Sequence, residues 1–554
     1  MPRIGDRTGW FLAFSAVFAA LVGYVFWGTW SLDMVPVMPD TWTTYPKTQL
    51  VDQLRNFWVS GRFIPDDLKV FLGGPWVWQE LQCAFAIYFA ALGVVYYCRG
   101  RGLSRPASYG AALLLAFSGY WLTLYSAGHL GWFRWMTYGV FAFGLADRAV
   151  RKGKLRHWLL LGADIAWASF NQQDLWLLFT VFTVVYFIWC CVRERRLPWR
   201  GVLVAGLVFA AVGAPNFVTS INETLKARKE QIARGENITG GGADSEKRWE
   251  FVTNWSLPPE DVLEFLVPRI HGDTSCPFVL SINHAKGVKL YKGALGRPLN
   301  ASTGNYRQHS LYVGWATCLL ALVGAVSVFV RRRGSSGEGL ACRNDAAFFA
   351  VAAVVFFLLS LGRYCAPTYR IIFALPFGDL IRCPVKWHHL TELSLAFLVA
   401  FGIDAVLRFA AAKGLRRGMA VGAVAVMVLL GAFGLASNAK LFCAPYSIKE
   451  ARRAGLKAEM TVLSRNDFAK PRIAELRRAG RIISIMNYMD HPDYFLVELL
   501  RPFTSDDLWS RRSPGPMTIA LGLMSILTTL GVLTYCGFVV VRRPRCSGKD
   551  TETT

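Results

Sequence analysis

Long apolar stretches alternate along the chain with short polar connectors, near residues 9–30, 81–97, 107–125, 132–146, 158–170, 175–192, 201–219, 310–330, 346–361, 389–407, 418–436 and 516–541. Each is of the order needed for a helix to cross a hydrocarbon core of about 30 Å, although the fourth and fifth are short. The pattern predicts an all-α polytopic membrane protein with about twelve transmembrane helices. The first stretch has the flanks of a signal sequence. Its apolar run is too long for a cleaved segment and lacks a small-x-small site before Trp30, so it is expected to stay as an anchor.

Composition agrees with this reading: 53% of the 554 residues are hydrophobic and only 18% charged. A net charge of +24 would in a soluble protein point to nucleic acid, but here its distribution decides. With the N-terminus in the cytoplasm, the inner segments are 1–8, 98–106, 147–157, 193–200, 331–345, 408–417 and 542–554. They hold 26 Lys/Arg and 7 Asp/Glu, and their net +19 is most of the total. Basic connectors are retained on the cytoplasmic side during insertion. Both termini are therefore expected inside, the partner is the lipid bilayer, and no nucleic acid is expected.

Three outer segments are long: 31–80, 220–309 and 437–515. Long loops usually carry function, so chemistry is expected in an extracytoplasmic layer. The first loop reads as interfacial amphipathic helices. Residues 222–250, with Gly240-Gly241-Gly242, read as a mobile polar stretch, whereas Pro258-Pro259-Glu260-Asp261 opens a short helix. Segment 437–515 is expected to form a small α+β cap, with helices at 448–463 and 471–479 and a strand at 481–486. No fixed-period repeat is evident.

Walker A, HExxH, GxSxG and dinucleotide fingerprints are missing, so soluble-type ATPase, metalloprotease and hydrolase readings have no anchor. The twelve cysteines show no metal spacing. Cys365 and Cys383 share one outer loop and are either a disulfide or two thiols. Ionisable residues at membrane depth are functional candidates because burial without a partner is costly. They are Arg134, Asp164, Glu392 and Asp404, with His129, His388 and His389 near the outer boundary. Asp164 and Asp404 are equally readable as structural partners of helix ends. Arg134 either snorkels to head groups or binds an anion. Asp33 and Asp40 follow the first helix at head-group height, where a carboxylate can act as general base or, in Pro39-Asp40-Thr41, cap a helix. Arg382, Lys386, His388 and His389 form a cationic group suited to a phosphate or to interfacial anchoring.

Several of these segments resemble the bacterial YfhO-like membrane proteins, which belong with the GT-C-type polytopic glycosyltransferases. The resemblance lies in Pro39-Asp40, Ser126-Ala-Gly-His129, Trp255-Ser-Leu-Pro-Pro-Glu-Asp-Val-Leu-Glu-Phe-Leu-Val-Pro268 with His271-Gly272, and Tyr312-Val-Gly314. It continues in Leu361-Gly362 with Pro367-Thr-Tyr369, and in Arg382-Cys-Pro-Val-Lys-Trp387 leading into Gly402-Ile-Asp404. It implies a GT-C-like transmembrane domain over 1–436, an extracytoplasmic segment 437–515, a last helix 516–541 and a cytoplasmic tail 542–554. It further implies sugar transfer on the outer face of the bacterial cytoplasmic membrane, from a polyprenyl-phosphate-linked donor to a cell-envelope glycan or lipid acceptor. Carried onto this chain, the general base is Asp40, with Asp33 as second choice. The donor phosphate falls to His129, Arg134, Arg382, Lys386 and His388. No cofactor is called for, and a divalent cation is left open. Two other classes stand beside it: an ion-coupled transporter or lipid flippase using Glu392 and Asp404, and a non-catalytic envelope-assembly protein.

Overall fold

The computed structural model describes residues 4–26, 34–36, 78–122, 131–170, 173–233, 243–253, 255–271, 310–329, 337–375, 378, 381–443, 462–464 and 516–541. Among them, eight helices are long and apolar enough to cross a membrane. They belong to α1 (Ile4–Val25), α2 (Trp78–Gly100), α6 (Gln173–Glu194), α7 (Trp199–Ala233), α10 (Gly337–Ser360), α12 (His388–Ala412), α13 (Arg417–Cys443) and α14 (Pro516–Val541). The protein is thus a helical, multi-pass membrane protein.

Eight of the twelve predicted stretches are these helices; the other four depart from that expectation for identifiable reasons. The run 107–125 is broken: α3 (Arg105–Ala116) ends where the chain turns at Phe117 and Ser118, and helix resumes over 119–122. The run 132–146 lies in α4 (Gly131–Lys152), whose last turns carry Asp147, Arg148, Arg151 and Lys152. α5 (Leu155–Ala168) has only 14 residues, and α9 (Trp315–Val326) starts late because 310–314 is non-helical. The polar stretch 222–250 also differs: α7 continues through it to Ala233, and α8 (Ala243–Val252) fills its end. Gly240–Gly242 lie outside the described residues. Pro259–Phe265 does form a short helix, of 3-10 type, with proline at its start.

Little of the expected cap is described. Strand β1 (Met34–Pro36) pairs antiparallel with β2 (Val462–Ser464), tying segment 31–80 to segment 437–515. Leu463 therefore sits in a strand where a helix end was expected. Segments 448–461, 471–479 and 481–486 lie outside the described residues. Cys365 and Cys383 are thiols, not joined to each other.

One hydrophobic core runs through the bundle, rich in alanine and aromatics such as Phe143, Tyr186, Phe349 and Phe397. Association within lipid cannot draw on the hydrophobic effect between helices, so small residues and polar side chains hold them together. α14 docks in this way: the Ser525 hydroxyl donates to Val212 O (2.8 Å), and Trp167 Nε1 donates to Thr529 Oγ1 (3.3 Å).

Candidate functional site

Two interruptions of apolar segments meet at one end of the bundle. α3 stops at Ala116, and the Gly119 N–H donates to Tyr312 O (3.0 Å) in the non-helical stretch before α9. A side chain on Gly119 would begin 2.9 Å from Tyr312 O, so this approach requires glycine. Asn438 Nδ2 on α13 donates to Ser310 Oγ (2.9 Å), which in turn accepts the Tyr312 N–H (3.3 Å). Non-helical backbone at membrane depth persists only where protein buries it and satisfies its polar groups, and such breaks commonly mark binding sites.

Glu392 lies against the break. Its Oε1 accepts from the Ser118 hydroxyl (2.5 Å) and, at 3.4 Å, from the Tyr120 N–H, both just beyond the end of α3. His388, one turn earlier on α12, places Nε2 3.6 Å from the same oxygen. Glu392 Oε2 has no hydrogen-bond partner among the described residues, and the side chain is almost fully buried. His389 is enclosed by aromatic rings, with Tyr120 at 4.2 Å and Trp135 at 5.7 Å between centroids. A carboxylate beside an imidazole, shut away from water, can hold or pass a proton or receive a polar ligand at its open oxygen.

Above this pair, segments distant in sequence are bonded into one knot. The Cys383 N–H donates to Val252 O and the Val385 N–H to Trp255 O, each at 3.0 Å, while the Leu257 N–H reaches Ser360 O at 2.9 Å. The N–H groups of Val313 and Gly314 share Phe265 O, and the Tyr369 hydroxyl, on α11 (Ala366–Ala374), donates to Ile381 O (2.7 Å). Arg363 acts as a clamp: its N–H donates to Ser256 Oγ (3.0 Å), Nε to Thr253 O (3.0 Å) and Nη2 to Glu250 O (2.9 Å). Tyr120, Leu257, Leu311 and Val385 form a small separate core beneath. Gly362 has φ +50°, and a side chain there would overlap Ser256 Oγ and Pro384. Gly362→Ala is expected to destabilise the protein by roughly 1–3 kcal/mol through both strain and overlap. Faster protease cleavage in segment 253–271 and a lower unfolding temperature would register it.

Lys386 is buried in the knot, on the 3-10 turn Pro384–Trp387, and Cys383 before it takes φ +65°. Arg382 is exposed, its guanidinium 5.9 Å from the Phe251 ring, and Arg370 stands 5.2 Å over Trp249 on the same helix. The expected cationic group of Arg382, Lys386, His388 and His389 therefore divides: Lys386 and both histidines are inside, and Arg382 is on the surface.

The remaining predicted residues fall elsewhere. Asp33, Asp40 and His129 lie outside the described residues, as does the side chain of Arg134 on α4. Asp404 and Glu392, twelve residues apart on α12, are separated by about 18 Å of helix axis. Asp404 accepts the Ser104 N–H at the start of α3 (3.2 Å) and pairs with Arg408 (2.6 Å), which makes it a partner of a helix end. Asp164 is buried in α5, with Oδ2 lacking a hydrogen-bond partner among the described residues.

A second charged cluster, at the connector end, was not anticipated from the sequence. Asp345 on α10 accepts from Arg193 Nη1 (2.5 Å) and Trp189 Nε1 (3.1 Å) and forms an ion pair with Arg101, whose Nε is 2.7 Å from its Oδ2. Asp147 on α4 pairs with Arg193 (2.7 Å), Arg151 (3.0 Å) and Arg101 (3.2 Å). Burial opposes the charge on Arg101, but Asp345 and Asp147 outweigh it and hold its pKa above the ordinary arginine range. The available signal was the scarcity of acids in these connectors: two of the seven are here, each facing more than one arginine. Among known proteins, no family model, no curated protein and no solved structure matches this chain.

Proposed function

We propose that the chain is a membrane glycosyltransferase of the YfhO-like, GT-C type. It moves a sugar from a polyprenyl-phosphate-linked donor to a cell-envelope acceptor on the outer face of the bacterial cytoplasmic membrane. The observation that supports this reading most is the packing of segments 255–268, 312–314, 361–369 and 382–387 on one another. These segments carry much of the resemblance; Lys386 belongs to one of them, and the Phe265 ring of another is 4.7 Å from His388, which stands beside Glu392. The basic connectors lie at the other end, which agrees with the knot facing outward.

In this reading Asp40, or Asp33, takes the proton of the acceptor hydroxyl as the anomeric carbon is attacked. His129, Arg134, Arg382, Lys386 and His388 stabilise the departing phosphate. A lysine in a dry site interacts with phosphate more strongly than one in water. The expected result is loss of an envelope sugar in a deletion strain, restored by wild type. Asp40→Asn and Lys386→Gln should each restore it at least about 100-fold less well, with normal protein levels in the membrane. A deletion strain with unchanged envelope glycosylation would end this reading.

One observation favours a second reading, ion-coupled transport: Glu392, with its open oxygen, sits at a helix break. Asp404, its partner in that reading, accepts the Ser104 N–H at the start of α3. Uptake into proteoliposomes that needs Glu392 and is indifferent to Asp40 would select this reading.

A further inference from the structure

The turn from α4 to α5 carries Arg148, Arg151, Lys152, Lys154 and Arg156 within nine residues, Arg151 paired with Asp147. A sixth cation joins them from the connection between α6 and α7: Arg196 Nη2 is 3.5 Å from where a side chain on Gly153 would begin. The nearest acids in sequence are already engaged, Asp147 by three arginines and Glu194 by Arg193 (3.1 Å). Arg148 is committed too, lying 3.4 Å over the Tyr96 ring and donating to Tyr96 O (2.8 Å). Lys152, Lys154, Arg156 and Arg196 are left around one glycine turn. Arg156 Nε is buried and has no hydrogen-bond partner among the described residues.

The electrostatic consequence is visible in the neighbours. Burial, then Arg156, Arg148, Lys152 and Lys154, push His157 down to about 4, so it adds no charge at neutral pH. Burial, then Arg151, Arg148, Lys154 and Arg156, lower the pKa of Lys152. Exposed apolar side chains flank the cations on the same two connections: Leu155, Leu197, and Trp199 with Arg200 5.3 Å over its ring. Insertion requires only that connectors be basic in sum. It does not require cations of two connectors to converge while the nearby acids are spent.

We infer that this turn binds the phosphate of an anionic phospholipid in the adjoining leaflet. Lys152, Lys154, Arg156 and Arg196 would contact the head group, and Leu155, Leu197 and Trp199 the acyl region. The lysines supply point charges and the arginines a planar fork, the combination that phosphate oxygens take up best. The apolar flank commits the site to a lipid rather than to free phosphate.

The test uses the full chain in detergent, with phosphatidylglycerol, phosphatidylcholine or inorganic phosphate added, and reads retained lipid by native mass spectrometry. Wild type is expected to retain phosphatidylglycerol in preference to phosphatidylcholine. Lys152→Gln with Lys154→Gln and Arg196→Gln should weaken that retention roughly 100-fold, about fivefold per cation. Lys154→Gln alone, at an exposed position, should weaken it about fivefold and serves if the triple variant does not fold. Lys413→Gln with Arg416→Gln and Arg417→Gln, at the turn between α12 and α13, should leave it unchanged. Retention by the Lys154→Gln and triple Lys152, Lys154, Arg196 variants within twofold of wild type, equal retention of phosphatidylcholine, or displacement of the lipid by millimolar inorganic phosphate would overturn the inference.

Discussion

Replacing Asp345 with alanine is expected to destabilise the protein by about 3–5 kcal/mol, read as a lower unfolding temperature in detergent and less protein in the membrane. Asp345 is fully buried and faces Arg101 and Arg193, whose side chains are 4% and 5% exposed. Its removal leaves Asp147, with Glu194 at Arg193, to compensate three guanidinium groups, two of them shut away from water. The cost comes from the charges left behind rather than from the strength of any one bond. For that reason Asp345→Leu combined with Arg101→Leu should recover much of the loss, because one orphaned charge leaves with its partner. If the double variant is as unstable as the sum of the singles, or if Asp345→Ala costs less than about 1 kcal/mol, the cluster does not hold these helices together. It joins the end of α2, α4, α6 and α10, and every charged member lies in or next to a connector.

A comparably large effect is expected from Gly402→Val. α9 and α12 approach so closely that a side chain on Gly402 would overlap Leu320 O, and one on Gly324 would overlap Leu398 O. The relation is reciprocal: each added carbon would also lie 3.0–3.1 Å from the other glycine's amide nitrogen. With no water to exclude, such helices associate through close backbone contact, which only the smallest residues allow. Valine must push them apart, at a cost of about 1–3 kcal/mol or more, and should shift the non-helical stretch 310–314 relative to Gly119. Gly422→Ala on α13 is the control. Nothing lies within 4 Å of a side chain there, so a change of about 1 kcal/mol or less, toward greater stability, is expected. Equal responses of Gly402→Val and Gly422→Ala would remove close packing as the explanation.

Both effects were only half legible in the sequence. Gly402 stands out within Gly402-Ile-Asp404, but nothing local says that Gly324 faces it. The charges of the buried cluster are visible as connector residues, yet their sum suggested only sidedness. Asp404 and Glu392 looked alike on one apolar helix. Their positions along α12 separate them: one serves the start of α3, the other the break after its end.

Apolar run length determined that this chain is a helical membrane protein and where most of its long helices lie, because hydrocarbon demands about twenty apolar residues whatever surrounds them. Proline placement determined the short helix at 259–265, since a ring-fixed φ is a local property. Tertiary structure decided where apolar runs stop being helical. A run of suitable composition will continue as helix unless another segment satisfies its backbone, and Tyr312 O does this for Gly119. It also decided which charges are buried together, because burial depends on helices that the sequence places up to some 240 residues apart, as with Arg101 and Asp345.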